Sequence, residues 1–112
     1  MPKFAALFPV ALLVGIVFGG DARAGDAEIR LTIKDHRFIP ERLEVPAKTK
    51  LVLIIRNEDA TAEEFDCSSL RREKIVHPGT ETRLVLGRIE PGEYPFVGEY
   101  HKSTATGVIV AK

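Results

Sequence analysis

The sequence predicts a single all-β domain folded as an antiparallel sandwich, and three observations point to it. Short strand-like segments recur at regular spacing, with no helical periodicity in the chain between them. Leu51-Val52-Leu53-Ile54-Ile55 is a β-branched apolar run, too short for a stable helix and typical of a central strand. Pro78-Gly79 and Pro91-Gly92 bracket the segment Thr80–Leu86; in such pairs Pro presets φ and Gly supplies the positive φ of a tight turn. A chain of 112 residues has room for one such domain.

The N-terminus stands apart from it. Met1-Pro2-Lys3 is a short basic start, Phe4 to Phe18 is almost wholly apolar, and Ala22-Arg23-Ala24 has the small-x-small pattern of a signal-peptidase site. Residues 1–24 are therefore expected to be a cleaved export signal and residues 25–112 the mature domain. A retained membrane anchor is the competing reading, but the apolar run is short of the ~20 residues that a spanning helix needs.

In the mature segment Glu28–Lys34 alternates polar and apolar residues, the pattern of a half-buried strand. Asp35–Pro40 reads as an irregular link with Pro as its stop, and Leu43-Glu44-Val45 as a short strand closed by Pro46. Leu51–Arg56 is the central strand and 57–62 a polar loop. Glu63–Asp66 resumes extended structure, Glu73–Val76 is a further short strand, and Gly92–Val110 reads as strand, polar loop, strand.

Charge is balanced, with 16 basic and 16 acidic residues and no basic stripe of the kind that binds nucleic acid. Cys67 is the only cysteine, so no internal disulfide can stabilise this small domain. It reads as a half-buried strand residue in preference to a redox or ligand group. There is no nucleophile–base motif and no glycine-rich phosphate loop, so no residue is assigned a catalytic role.

The segment Tyr94-Pro95-Phe96-Val97-Gly98-Glu99-Tyr100-His101, followed by Ala105-Thr106-Gly107 and the apolar Val108–Val110, closely resembles the copper-ligand loop of cupredoxins. Phe38-Ile39-Pro40, Val45-Pro46-Ala47, Asn57 and Phe65 extend the resemblance over the whole mature chain. It implies a cupredoxin-like Greek-key antiparallel β-sandwich. It also implies that the ligand positions of a type 1 copper site are held here by Glu63, Gly98, His101 and Ala105, of which only His101 keeps its residue. A blue centre needs a thiolate in a His₂Cys plane, usually with an axial thioether, so none is expected.

Glu63-Glu64-Phe65-Asp66, Arg72-Glu73-Lys74 and Gly98–His101 resemble a narrower branch, the periplasmic cupredoxin-like components of bacterial ferrous-iron transport systems. That resemblance implies a periplasmic metal-handling protein that binds Fe²⁺ or Cu²⁺. It would present or oxidise ferrous iron for a membrane iron permease and its periplasmic or membrane redox partners. A ferroxidase-like accessory activity stays open. The alternative is a metal-free cupredoxin-fold module that binds a protein partner.

The candidate ligands are Glu63 and His101, on ligand positions of the fold, then Glu99, Glu64 and His36. One imidazole with carboxylates is a harder donor set than thiolate and thioether, and suits divalent first-row ions. Glu99, two before His101, would share its face on an extended strand, and Glu64 would point opposite to Glu63, so that one of that pair should face the core and need a partner. Asp35 could orient the His36 imidazole. Alternatively, the acidic run is a solvated edge answered by Arg71, Arg72 and Lys74. Both Glu63 and His101 are expected to lie outside the core, at the end of the sandwich.

Overall fold

The computed structural model describes residues 26–112; the expected export segment, residues 1–24, lies outside them. The described strands are β1 (Asp26–Lys34), β2 (Arg37–Ile39), β3 (Arg42–Val45), β4 (Lys50–Asn57), β5 (Glu63–Cys67), β6 (Arg72–Val76), β7 (Glu81–Gly87), β8 (Gly92–Gly98) and β9 (Thr106–Ala111). They form a sandwich of two sheets, ordered β2-β1-β4-β7 and β3-β9-β8-β5-β6.

The all-β sandwich is as expected, but two of its pairings are parallel, β1 with β4 and β3 with β9. The chain leaves the first sheet after β2, runs through β3 in the second sheet, and returns as β4. It therefore reaches the side of β1 by a crossover and not by a hairpin, which lets the two strands run the same way. The alternation read in Glu28–Lys34 appears as alternating burial along β1. β4 is buried along most of its length because it lies in the middle of its sheet.

The link expected over 35–40 is instead a β-hairpin. Asp35 and His36 take φ of 55° and 59°, the pair of left-handed residues that a two-residue type I′ turn requires. Neither is Gly, so local sequence does not account for the turn. Asp59, from the loop after β4, supplies what is missing: its carboxylate accepts the Asp35 N–H at 2.7 Å and the His36 N–H at 2.9 Å. Asp59 is placed in turn by buried Asn57, whose Oδ1 accepts the Asp59 N–H and whose Nδ2 donates to the carbonyls of Thr61 and Val76.

Between the sheets, Phe38, Phe65 and Phe96 pack against one another with centroids 5.0 to 6.1 Å apart, all but sealed from solvent. Burying each aromatic side chain is worth roughly 1.5–3 kcal/mol. Ala105, in the loop between β8 and β9, belongs to the same buried core.

Candidate functional site

Glu63 opens β5 and points inward with Phe65, so its carboxyl group is carried into the sandwich with no solvent exposure. Such a group is costly unless fully bonded, and here it is. Oε1 accepts the N–H of Glu64 at 3.0 Å and of Tyr100 at 2.9 Å, while Oε2 meets His101 Nδ1 at 2.6 Å. That last distance is that of a charge-assisted bond. A carboxylate already accepting two amides takes a proton-bearing Nδ1 as its third partner. In the neutral tautomer that donates from Nδ1, Nε2 is the nitrogen free to act as a ligand.

The loop between β8 and β9 holds His101 in place. Gly98 N–H donates to the Ala105 carbonyl, and Ala105 N–H to the His101 carbonyl, both at 2.8 Å. Thr104 Oγ1 donates to the His36 carbonyl, tying this loop to the β1–β2 turn. The tie brings the two imidazoles face to face: the His36 and His101 rings stack with centroids 3.7 Å apart and planes 13° from parallel. His36 Nδ1 lies 3.5 Å from Asp59 Oδ2, too far for a hydrogen bond, and is buried without a partner. Burial raises the Asp59 pKa, but the two amide bonds and the nearby imidazoles outweigh it and hold the group below its ordinary value.

The expected ligands therefore separate into two groups. Glu63, His101 and His36 come together, and Asp59, unnoticed in the sequence, joins them. Asp59, and not Asp35, is the carboxylate beside the His36 ring, and it holds the turn through the two backbone amides. The signal for it was present, since an Asp in a polar loop just after a strand-ending Asn is typical turn chemistry. Glu64 and Glu99 lie elsewhere. Glu64 does point opposite to Glu63. The chain leaves the extended conformation after Gly98, so Glu99 does not share the face of His101. As strand alternation requires, one of Glu63 and Glu64 faces the core and has a partner: it is Glu63, which lies deeper than its expected place at the sandwich end.

On the outward face of β5, β6 and the start of the His101 loop, carboxylates meet carboxylates. The hydrogen bond with Glu73, then desolvation, raises Glu64, and Asp66 is raised first by its hydrogen bond with Glu99. Glu99 is lowered, first by that same bond and then by Lys102. The expected answer from basic residues does not form as read: Arg72 turns away to the carbonyls of Val85 and Leu70. A carboxyl group whose folded pKa lies above its unfolded value holds its proton longer when folded. The stability it confers is complete below the ordinary value of 4.5 and is lost as pH rises through the folded pKa. Glu73→Gln is thus expected to raise Tm at pH 7, with the gain shrinking in high salt and vanishing well below pH 4.5. Thermal melts over that pH range check it; a Tm gain that persists in acid would contradict the pairing.

Cys67 is sealed in the core at the far end of β5, roughly 13 Å along the strand from Glu63. Burial pushes its thiol pKa up, so it has the character of a structural residue and not of a nucleophile. Among the described residues no three His, Cys, Asp or Glu side chains converge as a ready-made metal cluster.

A two-sheet sandwich with parallel closing pairs and a His-bearing loop between its last two strands defines a cupredoxin-like protein. The chain belongs to the cupredoxin-like domain family, whose model matches residues 6–111. The uncharacterized protein RP394 of Rickettsia prowazekii (strain Madrid E) is 47% identical over 83 residues, which cover 74% of this chain and 66% of that protein. Among solved structures, auracyanin A, a "blue" copper protein from Chloroflexus aurantiacus, superposes with a TM-score of 0.68 at 12% identity, covering 79% of this chain and 100% of that one. The metal-binding domain of the Streptococcus pneumoniae D39 Cu(I)-exporting P-type ATPase CopA, solved with Cu(I), gives a TM-score of 0.68 at 12% identity over 82% of this chain and 91% of that one. Amicyanin from Paracoccus versutus gives 0.62 at 12% identity, over 87% and 91%. At such identities the likeness is one of fold.

The side chains present do not fit a type 1 copper ion. Position 98, where the resemblance places the thiolate, cannot carry a side chain: a Cβ there would lie 2.6 Å from Glu63 Cδ and 2.8 Å from its Oε2. The buried carboxylate fills that space.

Proposed function

We propose that this is a periplasmic metal-handling protein that takes up a divalent cation, Fe²⁺ or Cu²⁺, at His101 and presents ferrous iron to a membrane permease. The observation that carries the reading is the Glu63–His101 pair. A carboxylate behind one ring nitrogen is the arrangement that fixes the tautomer of a metal-binding imidazole and raises its basicity. The outward carboxylates Glu64, Asp66, Glu73 and Glu99 add a local negative field that concentrates cations. The iron assignment is supported by the resemblance of 63–66, 72–74 and 98–101 to iron-transport components. Presentation needs only binding and release, with the ion as cargo.

The test is anaerobic calorimetric titration of the purified protein with Fe²⁺, and separately with Cu²⁺, at a temperature where all variants are folded. His101→Ala is expected to weaken binding by about 100-fold or more, while His77→Ala leaves it unchanged. The Cu²⁺ form should lack the intense absorption of a thiolate–copper bond. Equal binding by wild type and His101→Ala would remove the metal reading. It would favour instead a metal-free protein-interaction module, a reading that draws on the self-satisfied Glu63–His101 bridge and the exposed Tyr100 beside it.

A further inference from the structure

Resting on that reading, we infer that the cation is held by two imidazoles, His101 and His36, each through Nε2 and each backed by a carboxylate at Nδ1. His36 comes from a hairpin turn distant in sequence, and nothing in its own strand requires it to stand over His101. The contacts that put it there are specific: Asn57 sets Asp59, Asp59 accepts both turn amides, and Thr104 binds the His36 carbonyl. The result is two rings 3.7 Å apart, with Glu63 behind one and Asp59 behind the other.

An imidazole centroid lies beyond its donor nitrogen, so two rings ligating one ion through nitrogens at about 2.0–2.1 Å stand further apart than the 3.7 Å of this pair, and the stack must open for both to bind. Parallel rings direct their lone pairs side by side, so one ring must turn for both to converge. His36 has the freedom and the reason to do so. Its Nδ1 is buried and unbonded, 3.5 Å from Asp59 Oδ2 and beyond hydrogen-bond reach. A small ring movement that brings Nδ1–H within hydrogen-bond reach of Asp59 Oδ2 would satisfy the orphaned nitrogen. It would also reproduce at His36 the pairing that His101 already has with Glu63. His101, held at 2.6 Å, is the fixed donor and His36 the adjustable one. Two imidazoles with open positions left for water or a partner's carboxylate favour Cu²⁺ over Fe²⁺ in affinity. That ordering suits a site meant to hold iron loosely and release it.

The experiment is long-range ¹H–¹⁵N NMR of the imidazoles of the full protein titrated with Zn²⁺ as a diamagnetic probe, with His36→Ala and Asp59→Asn alongside. The expected result is that the Nε2 signals of His36 and His101 move together along one binding curve while that of His77 stays. His36→Ala should weaken Zn²⁺ about 10-fold or more. Asp59→Asn should do so by about 10-fold while changing the His36 Nδ1 signal and leaving that of His101 in place. Movement of His101 alone, with His36→Ala binding normally, would overturn the two-imidazole site and leave the cargo reading standing. Movement of neither would overturn both. Equal movement of all three histidines would mean loose surface binding and would likewise overturn the site.

Discussion

Replacing His101 with Ala is expected to lower the unfolding free energy by about 3 kcal/mol, roughly 12–24 °C in Tm for a domain of this size. The loss comes from the partner left behind. Glu63 is wholly buried, and without the imidazole its Oε2 keeps no strong donor, although Oε1 retains the amides of Glu64 and Tyr100. An exposed loop histidine would cost almost nothing, so the size of the change distinguishes the two descriptions. Glu63→Ala should be similarly damaging, since it strands two amide donors. Glu63→Gln should be mild, about 1 kcal/mol, because the amide has the same shape. Its oxygen is obliged to face the two N–H groups, so its NH₂ must face His101 Nδ1. That drives the imidazole proton to Nε2 and blocks the nitrogen that would bind a cation. Thermal melts and imidazole NMR of the three variants check this. A His101→Ala protein as stable as wild type would show that the pair does not hold the loop.

Gly98→Ala is the second large effect, a loss of about 2–3 kcal/mol from overpacking. The glycine is required for space. The new Cβ would sit 2.6 Å from Glu63 Cδ and 2.7 Å from the Ala105 Cβ. Neither neighbour can step back, since Glu63 is held by three bonds and Ala105 is buried in a loop bonded to Gly98 itself. Gly98→Cys should be no better and should yield no blue copper site, because the carboxylate occupies the thiol's place. In the double variant Glu63→Ala/Gly98→Ala one of the two overlaps is gone, so the costs should fall short of additive by about 1–2 kcal/mol. Denaturant midpoints of the four proteins measure that coupling. Strict additivity would mean the two positions do not compete for the same space.

The candidate site was partly legible in the chain. His101 and Glu63 could be picked out because they fall on end-loop positions of a recognisable pattern, and the structure joins them. Glu99 was read by extrapolating strand geometry past Gly98, where the strand stops and the loop turns back on itself; Glu64 points opposite to Glu63, as alternation along β5 predicts. The Asp35–His36 turn was read as irregular because no Gly or Asn marked it; its left-handed residues are held by Asp59, 23 residues or more away. Cys67, expected to be half-buried in its strand, is fully buried, because it falls on the inward face of β5 with Glu63 and Phe65.

By itself the sequence determined the class: period-two burial, β-branched runs and Pro-Gly turns are local signals, and they suffice for an all-β sandwich with its loops in order. The tertiary structure alone decided which strands run parallel, that Glu63 and not Glu64 is the carboxylate turned inward onto His101, and that His36 stacks on that imidazole. Those outcomes depend on pairs 38, 65 and 68 residues apart, Glu63 with His101, His36 with His101 and His36 with Thr104. Only when the sheets pack do such residues meet, and no pattern along the chain encodes their distance.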